Sequence, residues 1–330
     1  MNQSEQFSQN ELKRNKPLVY DKVIRFPDKM ARGESVAIVR TEWSYICNMR
    51  CKHCSIRELQ ARSDRRKMTL DDVKNLSRQA HELGLAQWVI SGGEPLMFGD
   101  LIELIGAINP KLFYITIDTN GWYMTPETAK DLKDMGVDKV QLSIDNLDPE
   151  VHDEFRQKRG AWSRAVNSIE AIQKAGLHVL IQTVVDKQRA YSDELVLFIR
   201  FFNGLDVPVY IGYAKPVGAW AGHDEVMLTD ADIAHVEALS KEYQVFTHLT
   251  PAYEYEGGCI AVKRMVNITR YGDVNPCPFM QEIRLGSLFE EPLKDIIERG
   301  MKRFSGHIPT CLMATEKDFI KNETYLPDMQ

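Results

Sequence analysis

The sequence has no excess of basic charge: 41 Lys and Arg face 47 Asp and Glu over 330 residues, a formal net charge of −6. Binding to a phosphate backbone rests on clustered cations, so a nucleic-acid partner is not expected. Long apolar runs are also missing. The longest, around Leu195 to Phe202, is broken by Arg200, and none suits a bilayer. The opening MNQSEQFSQNELKRNK lacks the apolar core of a secretory signal. The expectation is a cytoplasmic protein without a membrane partner. Internal repeats and low-complexity tracts are absent. Cysteine is scarce, with six in the chain. In a reducing compartment these read as metal ligands or redox groups rather than disulfides.

What is present is an ordinary globular composition, 44% hydrophobic and 27% charged, at a length that suits a large α/β domain with a small appendage. Residues 1–35 read as a polar, irregular leader. From Val36, strand-like and helix-like stretches alternate: VAIVRTEW, AQWVIS, LFYITID, KVQLSID, HVLIQTVVD and PVYIGYA are the strands. Between them, Thr69 with Asp72 has the spacing of a capping box, and Thr125-Pro126 and Ser192 open later helices. Such alternation means βαβ crossovers and a parallel sheet. Six units predict an open, partial (β/α)6 parallel barrel over residues 36–220, because a closed one needs eight. The rhythm breaks after Pro216, and 221–330 reads as a separate C-terminal region with short strand-like pieces around YGDVNP.

The cysteines fall into two groups. Cys47, Cys51 and Cys54 follow directly on the first strand, and Cys259, Cys277 and Cys311 lie in the last quarter. Three thiolates that close together wrap one metal centre only on a tight loop, and the end of a barrel strand is where such a loop belongs. A [4Fe–4S] cluster takes four thiolates, so three leave one iron open. Zinc is the alternative, and would need His53 or a distant residue as its fourth ligand.

The C-x3-C-x2-C spacing of Cys47, Cys51 and Cys54 resembles the signature of the radical S-adenosylmethionine (SAM) superfamily, over about residues 36 to 216. In that family SAM chelates the open iron, and electron transfer cleaves it to methionine and a 5′-deoxyadenosyl radical. Ser91-Gly92-Gly93-Glu94-Pro95 after the second strand resembles the family's GGEP motif, which implies that the backbone of Gly92 and Gly93 and the Glu94 carboxylate hold the SAM amino group. Glycine permits close approach to a ligand. Ser143 and Asp145 resemble polar strand-end residues facing the ribose and carboxylate of SAM, and Arg156 is placed like an arginine that pairs with that carboxylate. Gln182 and Tyr213 are further candidates for ribose and adenine contacts. Asn120-Gly121 reads as a turn.

Cys259, Gly272 and Cys277 match the opening of the SPASM or twitch extension, which carries auxiliary iron–sulfur clusters in one branch of the superfamily. The dense later cysteines of a complete SPASM domain are missing and Cys311 alone remains, so a small twitch/SPASM-like domain with one auxiliary cluster is expected. Its fourth iron is either open to substrate or held by a non-thiol ligand such as His307 or a carboxylate. One thiol could instead donate a hydrogen atom, as in radical SAM epimerases, and three buried structural cysteines are the plain alternative. Arg62, Arg65, Arg66 and Lys67 read as a solvated basic loop, and His81, His152 and His235 as helix-surface residues. Trp220 and Tyr253 lie near the expected substrate side.

The resemblance implies an enzyme that abstracts a hydrogen atom from a small metabolite or a ribosomal peptide, served by an electron donor such as a flavodoxin or ferredoxin. The short stretch before the first strand leaves no room for a leader-peptide module, which favours a small molecule. A non-catalytic iron–sulfur electron carrier is the rival, and it would have no use for a SAM pocket.

Overall fold

The computed structural model describes residues 10–57, 65–250 and 257–324. All six expected strands are there: β1 (Ile38–Ser44), β2 (Gln87–Gly92), β3 (Tyr114–Thr119), β4 (Lys139–Ser143), β5 (His178–Val185) and β6 (Val209–Tyr213). They pair in sequence order, every neighbour parallel. The sheet does not stop at six. β7 (Val245–Thr247) adds parallel to β6, and β8 (Met265–Ile268) adds parallel to β1 on the opposite edge. From β8 an antiparallel meander continues through β9 (Asp273–Asn275) to β10 (Gly286–Ser287). The result is one ten-stranded sheet in the order β10-β9-β8-β1-β2-β3-β4-β5-β6-β7. The C-terminal cysteine region is thus built on the edge of the barrel sheet.

Local signals fix the helices. Thr69 and Asp72 form the reciprocal capping box that opens helix Leu70–Glu82, satisfying two otherwise orphaned backbone donors. Thr125 caps helix Pro126–Asp134 and Ser192 caps Asp193–Gly204. An additional short helix, Pro149–Arg156, opens on Asp148 and ends at Gln157 with φ +54°. Apolar stripes such as Val73, Leu76 and Ala80 join Val39, Trp88, Ile90, Ile117 and Leu142 from the sheet in one buried core.

Strand residues of the other parity face the barrel lumen. That face is polar. Arg40 reaches Glu42 (3.1 Å) on its own strand, Asp118 (3.7 Å) on β3 and the Asn267 amide oxygen (3.0 Å) on β8. Asn267 Nδ2 and the Tyr45 hydroxyl each donate to Glu42 at 3.1 Å, and Gln141 pairs with Gln182.

The leader is helical where it is described, with helices Pro17–Val23 and Phe26–Ala31. Val19 and Phe26 pack on Val36 and Ala86. Three lysines anchor it to the end of the barrel opposite the cysteine loop. Lys16 Nζ donates to Phe113 O and Gly136 O (both 2.9 Å), Lys22 Nζ to Leu85 O (2.8 Å) and Leu112 O (2.7 Å), and Lys29 Nζ to Leu83 O. Leu83 caps the C-terminus of its helix, where unpaired carbonyls attract cations. Polar residues were the reason this segment read as irregular, and those residues make its strongest contacts.

Burial lowers the Lys22 pKa from 10.5 to about 8, and the neighbouring Lys29 adds to the effect. Between those values the unfolded chain binds more protons than the folded one, so the Lys22 contribution to stability rises with pH there. In thermal unfolding from about pH 8 to 10.5, the wild type is expected to gain stability relative to Lys22→Met. A pH-independent difference would show that the ammonium is not buried as described.

Candidate functional site

The Cys47–Cys54 loop leaves the C-terminal end of β1 and is clamped against the end of β2. Gly93 N donates to Ser44 O (2.7 Å) and Glu94 N to Ile46 O (2.8 Å). A Cβ on Gly92, whose φ is +122°, would lie 2.2 Å from Ser44 O, and one on Gly93 would lie 2.0 Å from Ile46 O. The close approach these glycines permit is therefore to the cysteine loop backbone. Behind the loop, Lys52 N donates to Phe155 O and Ala219 N to Cys54 O, both at 2.9 Å. His53 stacks on Phe155 at 4.6 Å, and Trp220 lies 5.8 Å from His53, so Trp220 supports the loop.

The thiols fit thiolate ligation. Cys47 Sγ accepts from Met49 N at 3.4 Å, and Cys54 accepts from the Ile56 amide. In the C-terminal group Cys277 Sγ accepts from Phe279 N at 3.3 Å, and Cys259 from the Ala261 and Leu312 amides. Four of the six sulfurs thus receive the amide two residues ahead, a bond that favours the anion and tunes iron–sulfur centres. Cys259, Cys277 and Cys311 are all buried, and Cys259 and Cys277 each feel Cys311 electrostatically. Without iron, burial pushes Cys47 and Cys259 up to about 11 and Cys277 to about 12. Among the described residues no three His, Cys, Asp or Glu side chains gather as around a single ion.

Glu94 is almost fully buried. Its Oε1 accepts from Leu96 N (3.1 Å) and Thr119 Oγ1 (2.5 Å), and its Oε2 from Asn120 N (2.8 Å). Burial raises its pKa to about 7 against the pull of those bonds. A cationic group beside it would hold it ionised. Asn120 does more than turn the chain. Its Nδ2 donates to Asn48 Oδ1 (2.8 Å) and stands 3.9 Å from Cys47 Sγ. The signal for it was its place at the C-terminal end of a barrel strand.

Asp145 and Arg156 are each other's partners. Arg156 Nε donates to Asp145 Oδ2 at 2.6 Å, Val184 N donates to Asp145 Oδ1 at 3.2 Å, and Arg156 Nη1 stands 3.8 Å from Cys51 Sγ. Burial works against ionised Asp145, yet Arg156, His53 and His152 bring its pKa down to about 2. Arg156 thus reaches the cysteine loop directly. Ser143 and Gln182 stand in register beside this pair, both half-buried.

Other expectations meet a different geometry. Tyr213 is buried away from the lumen with its hydroxyl on Glu237. His152 is a core residue, accepting from Asp145 N at 3.1 Å, with a pKa lowered to about 4 by burial and then by Arg156. His81 is half-buried, and His235 stacks on Tyr191 at 4.3 Å. His307 is exposed. In the basic cluster Arg65 pairs with Asp273 (2.7 Å) and Arg66 with Asp72 (3.1 Å), while Lys67 lines a cavity of about 420 Å³ outside the loop. Arg62 and Tyr253 lie outside the described residues. The lumen residue Tyr210 on β6 is acted on by Cys311, Arg264, Asp118 and Cys277.

Two predictions follow from this geometry. Gly93→Ala should displace the loop, so iron should fall from about eight to about four per reconstituted chain, with the C-terminal absorption kept; full iron content would refute the clamp. The raised thiol pKa values mean that iron must displace protons. Cluster assembly should therefore release protons and become more favourable from about pH 7 to about pH 8.5, as followed by pH-stat titration.

Family models match the segments that hold both cysteine groups. The model of the radical SAM superfamily matches residues 41–196, and that of an iron–sulfur cluster-binding domain, SPASM, matches 259–317. The AdoMet-dependent heme synthase of Methanosarcina barkeri is 27% identical over 300 residues, 82% of this chain and 84% of that protein. The PqqA peptide cyclase of Methylocella silvestris is 30% identical over 252 residues, 72% of this chain and 66% of the relative. Streptococcus suis SuiB bound to its precursor peptide SuiA shares the fold, with a TM-score of 0.64 at 19% identity over 82% of this chain and 67% of SuiB. With Cys47, Cys51, Cys54 and the GGEP turn inside the first match and all three later cysteines inside the second, the chain belongs to the radical SAM superfamily, as an enzyme that uses S-adenosylmethionine and carries a SPASM-type iron–sulfur domain.

Proposed function

We propose that this enzyme abstracts a hydrogen atom from a small polar metabolite held in the barrel lumen and passes the resulting electron to the C-terminal cysteine site. The observation that carries this reading is the polar lumen face, where Arg40, Glu42, Asp118 and Asn267 meet and Tyr210 is acted on by both Asp118 and Cys311. Asp118 Oδ1 is buried without a hydrogen-bond partner among the described residues. Such an acceptor has to be satisfied by something, and a substrate hydroxyl or N–H would do so. When bound, the cofactors supply a carbon radical at the first site and an electron sink at the second.

The residues of the chain do the rest. Glu94, oriented by Thr119, Asn120 and Leu96, is placed to hold the SAM ammonium. Cys47, Cys51 and Cys54 hold the first cluster, with Arg156 beside Cys51 to balance its negative charge. The Arg40, Glu42, Asn267 and Tyr45 network holds the lumen wall in one arrangement, since every member is tied to another. The match to the heme synthase over most of both chains supports a small molecule, and the match to the PqqA peptide cyclase supports a peptide as the second reading. Membership of an enzyme superfamily leaves the electron-carrier alternative without support.

Replacing Cys47, Cys51 and Cys54 together with Ala should abolish 5′-deoxyadenosine formation by the reduced protein. With wild type, deuterium from a uniformly deuterated metabolite fraction should appear in 5′-deoxyadenosine, at roughly one equivalent per turnover. Transfer confined to the peptide fraction would overturn the small-molecule reading. Solvent deuterium appearing in the product would point instead to an epimerase with one of the later cysteines as donor.

A further inference from the structure

The turn after β3 fixes the orientation of two side-chain amides at the first cysteine loop. Asn120 Oδ1 accepts from Trp122 N at 2.9 Å, and a backbone N–H can only donate. The other end of that amide, Asn120 Nδ2, is therefore the donor in its 2.8 Å bond to Asn48. The Asn48 atom it meets must be the acceptor Oδ1, so Asn48 Nδ2 is directed elsewhere. Two linked bonds thus settle which end of each amide is oxygen and which nitrogen.

Asn48 Nδ2 is buried with no hydrogen-bond partner among the described residues. A buried donor without an acceptor is costly, and such a group calls for one. Direct contacts define the place. Asn48 Oδ1 lies 3.9 Å from Cys47 Sγ, and Asn120 Nδ2 lies 3.9 Å from the same sulfur. Asn120 also donates its backbone N–H to Glu94 Oε2 at 2.8 Å. One residue therefore holds the carboxylate of the GGEP turn with its backbone and the Asn48 amide with its side chain.

A buried acid and a buried neutral donor tied to one residue suit an α-amino acid, whose ammonium and carboxylate leave the same carbon. Arg156, the carboxylate partner that the family resemblance implies, already serves Asp145 at 2.6 Å and Cys51 at 3.8 Å. We infer that Asn48 Nδ2 donates to the α-carboxylate of bound SAM, a binding residue supplied by the cysteine loop itself. The inference rests on the reading that Glu94 holds the SAM ammonium, and it extends that reading to the other end of the amino acid. A hydrogen bond from a neutral amide to a carboxylate is charge-assisted and directional, and it adds no charge beside the thiolates.

The test uses the full chain, reconstituted anaerobically and left oxidised so that SAM binds without being cleaved. Titration calorimetry compares SAM with decarboxylated SAM, which keeps the ammonium and lacks the carboxylate. Asn48→Ala should weaken SAM about tenfold and leave decarboxylated SAM unchanged, with the SAM-free reduction potential of the first cluster at its wild-type value. Asn48→Asp keeps the oxygen that Asn120 needs but cannot donate, and it should weaken SAM at least as much; it decides the matter if the Ala variant fails to take up iron. Glu94→Gln should weaken both ligands. Equal weakening of the two ligands in the Asn48 variants, or none, overturns Asn48 and leaves Glu94 standing. A shifted SAM-free potential with unchanged SAM affinity in Asn48→Ala also overturns it, and gives the donor to the cluster instead. If Glu94→Gln weakens neither ligand, the ammonium reading falls and the inference with it.

Discussion

The site depends on a backbone contact closer than any side chain allows. Where β1 gives way to the cysteine loop, two carbonyls, Ser44 O and Ile46 O, accept amides from the end of β2. The contact is open to glycine alone at Gly92 and Gly93, because a Cβ at either would fall within 2.2 Å of a carbonyl oxygen. It sets the exit direction of the loop, and hence where Cys47, Cys51 and Cys54 stand. It also carries Glu94 inward to where Thr119 and Asn120 reach it. The GGEP turn is thus a fastening for the cluster loop as well as the place where an acid is presented.

Much of this was legible because the constraint is local. Cysteine spacing survives folding unchanged, a capping box such as Thr69 with Asp72 is written within four residues, and strand–helix alternation reports the parallel sheet. What was not legible depends on partners far apart in the chain. Lys16, Lys22 and Lys29 look like surface charge until the carbonyls at Leu83, Leu85, Leu112, Phe113 and Gly136 are brought to them. Asn120 reads as half of a turn dipeptide, and only the fold sets it beside Asn48 and Cys47. Arg156 and Asp145 carry charges suited to a ligand, and the fold spends part of each on the other. β7 and β8 are three and four residues long, too short for periodicity to mark, and their pairing is a property of the finished sheet.

That pairing has a chemical consequence. Because β8 joins β1 directly, Asn267 enters the lumen and completes the Arg40–Glu42 network from the C-terminal side. The second cysteine site is then no mobile appendage, since Cys259 and Cys277 flank the β8–β9 hairpin. Val262, between them, has φ +60°, a conformation costly for a β-branched residue. Its amide meets Met265 O and Pro276 O, so the hairpin closure that places the thiols also holds the strained residue in position.

The two sites differ in how their charge is balanced, and that difference bears on the direction of electron flow. At the first, Arg156 stands near Cys51 and is paired with Asp145 at 2.6 Å, while Arg57 binds the Cys51 carbonyl and acts on Cys54. At the second, Lys215 acts on Cys277, Lys263 on Cys259 and Arg264 on Tyr210. A cationic surrounding stabilises the more negative, reduced state of a cluster. In the proposed function, such a surrounding would suit the C-terminal thiols to take up the electron left after hydrogen abstraction.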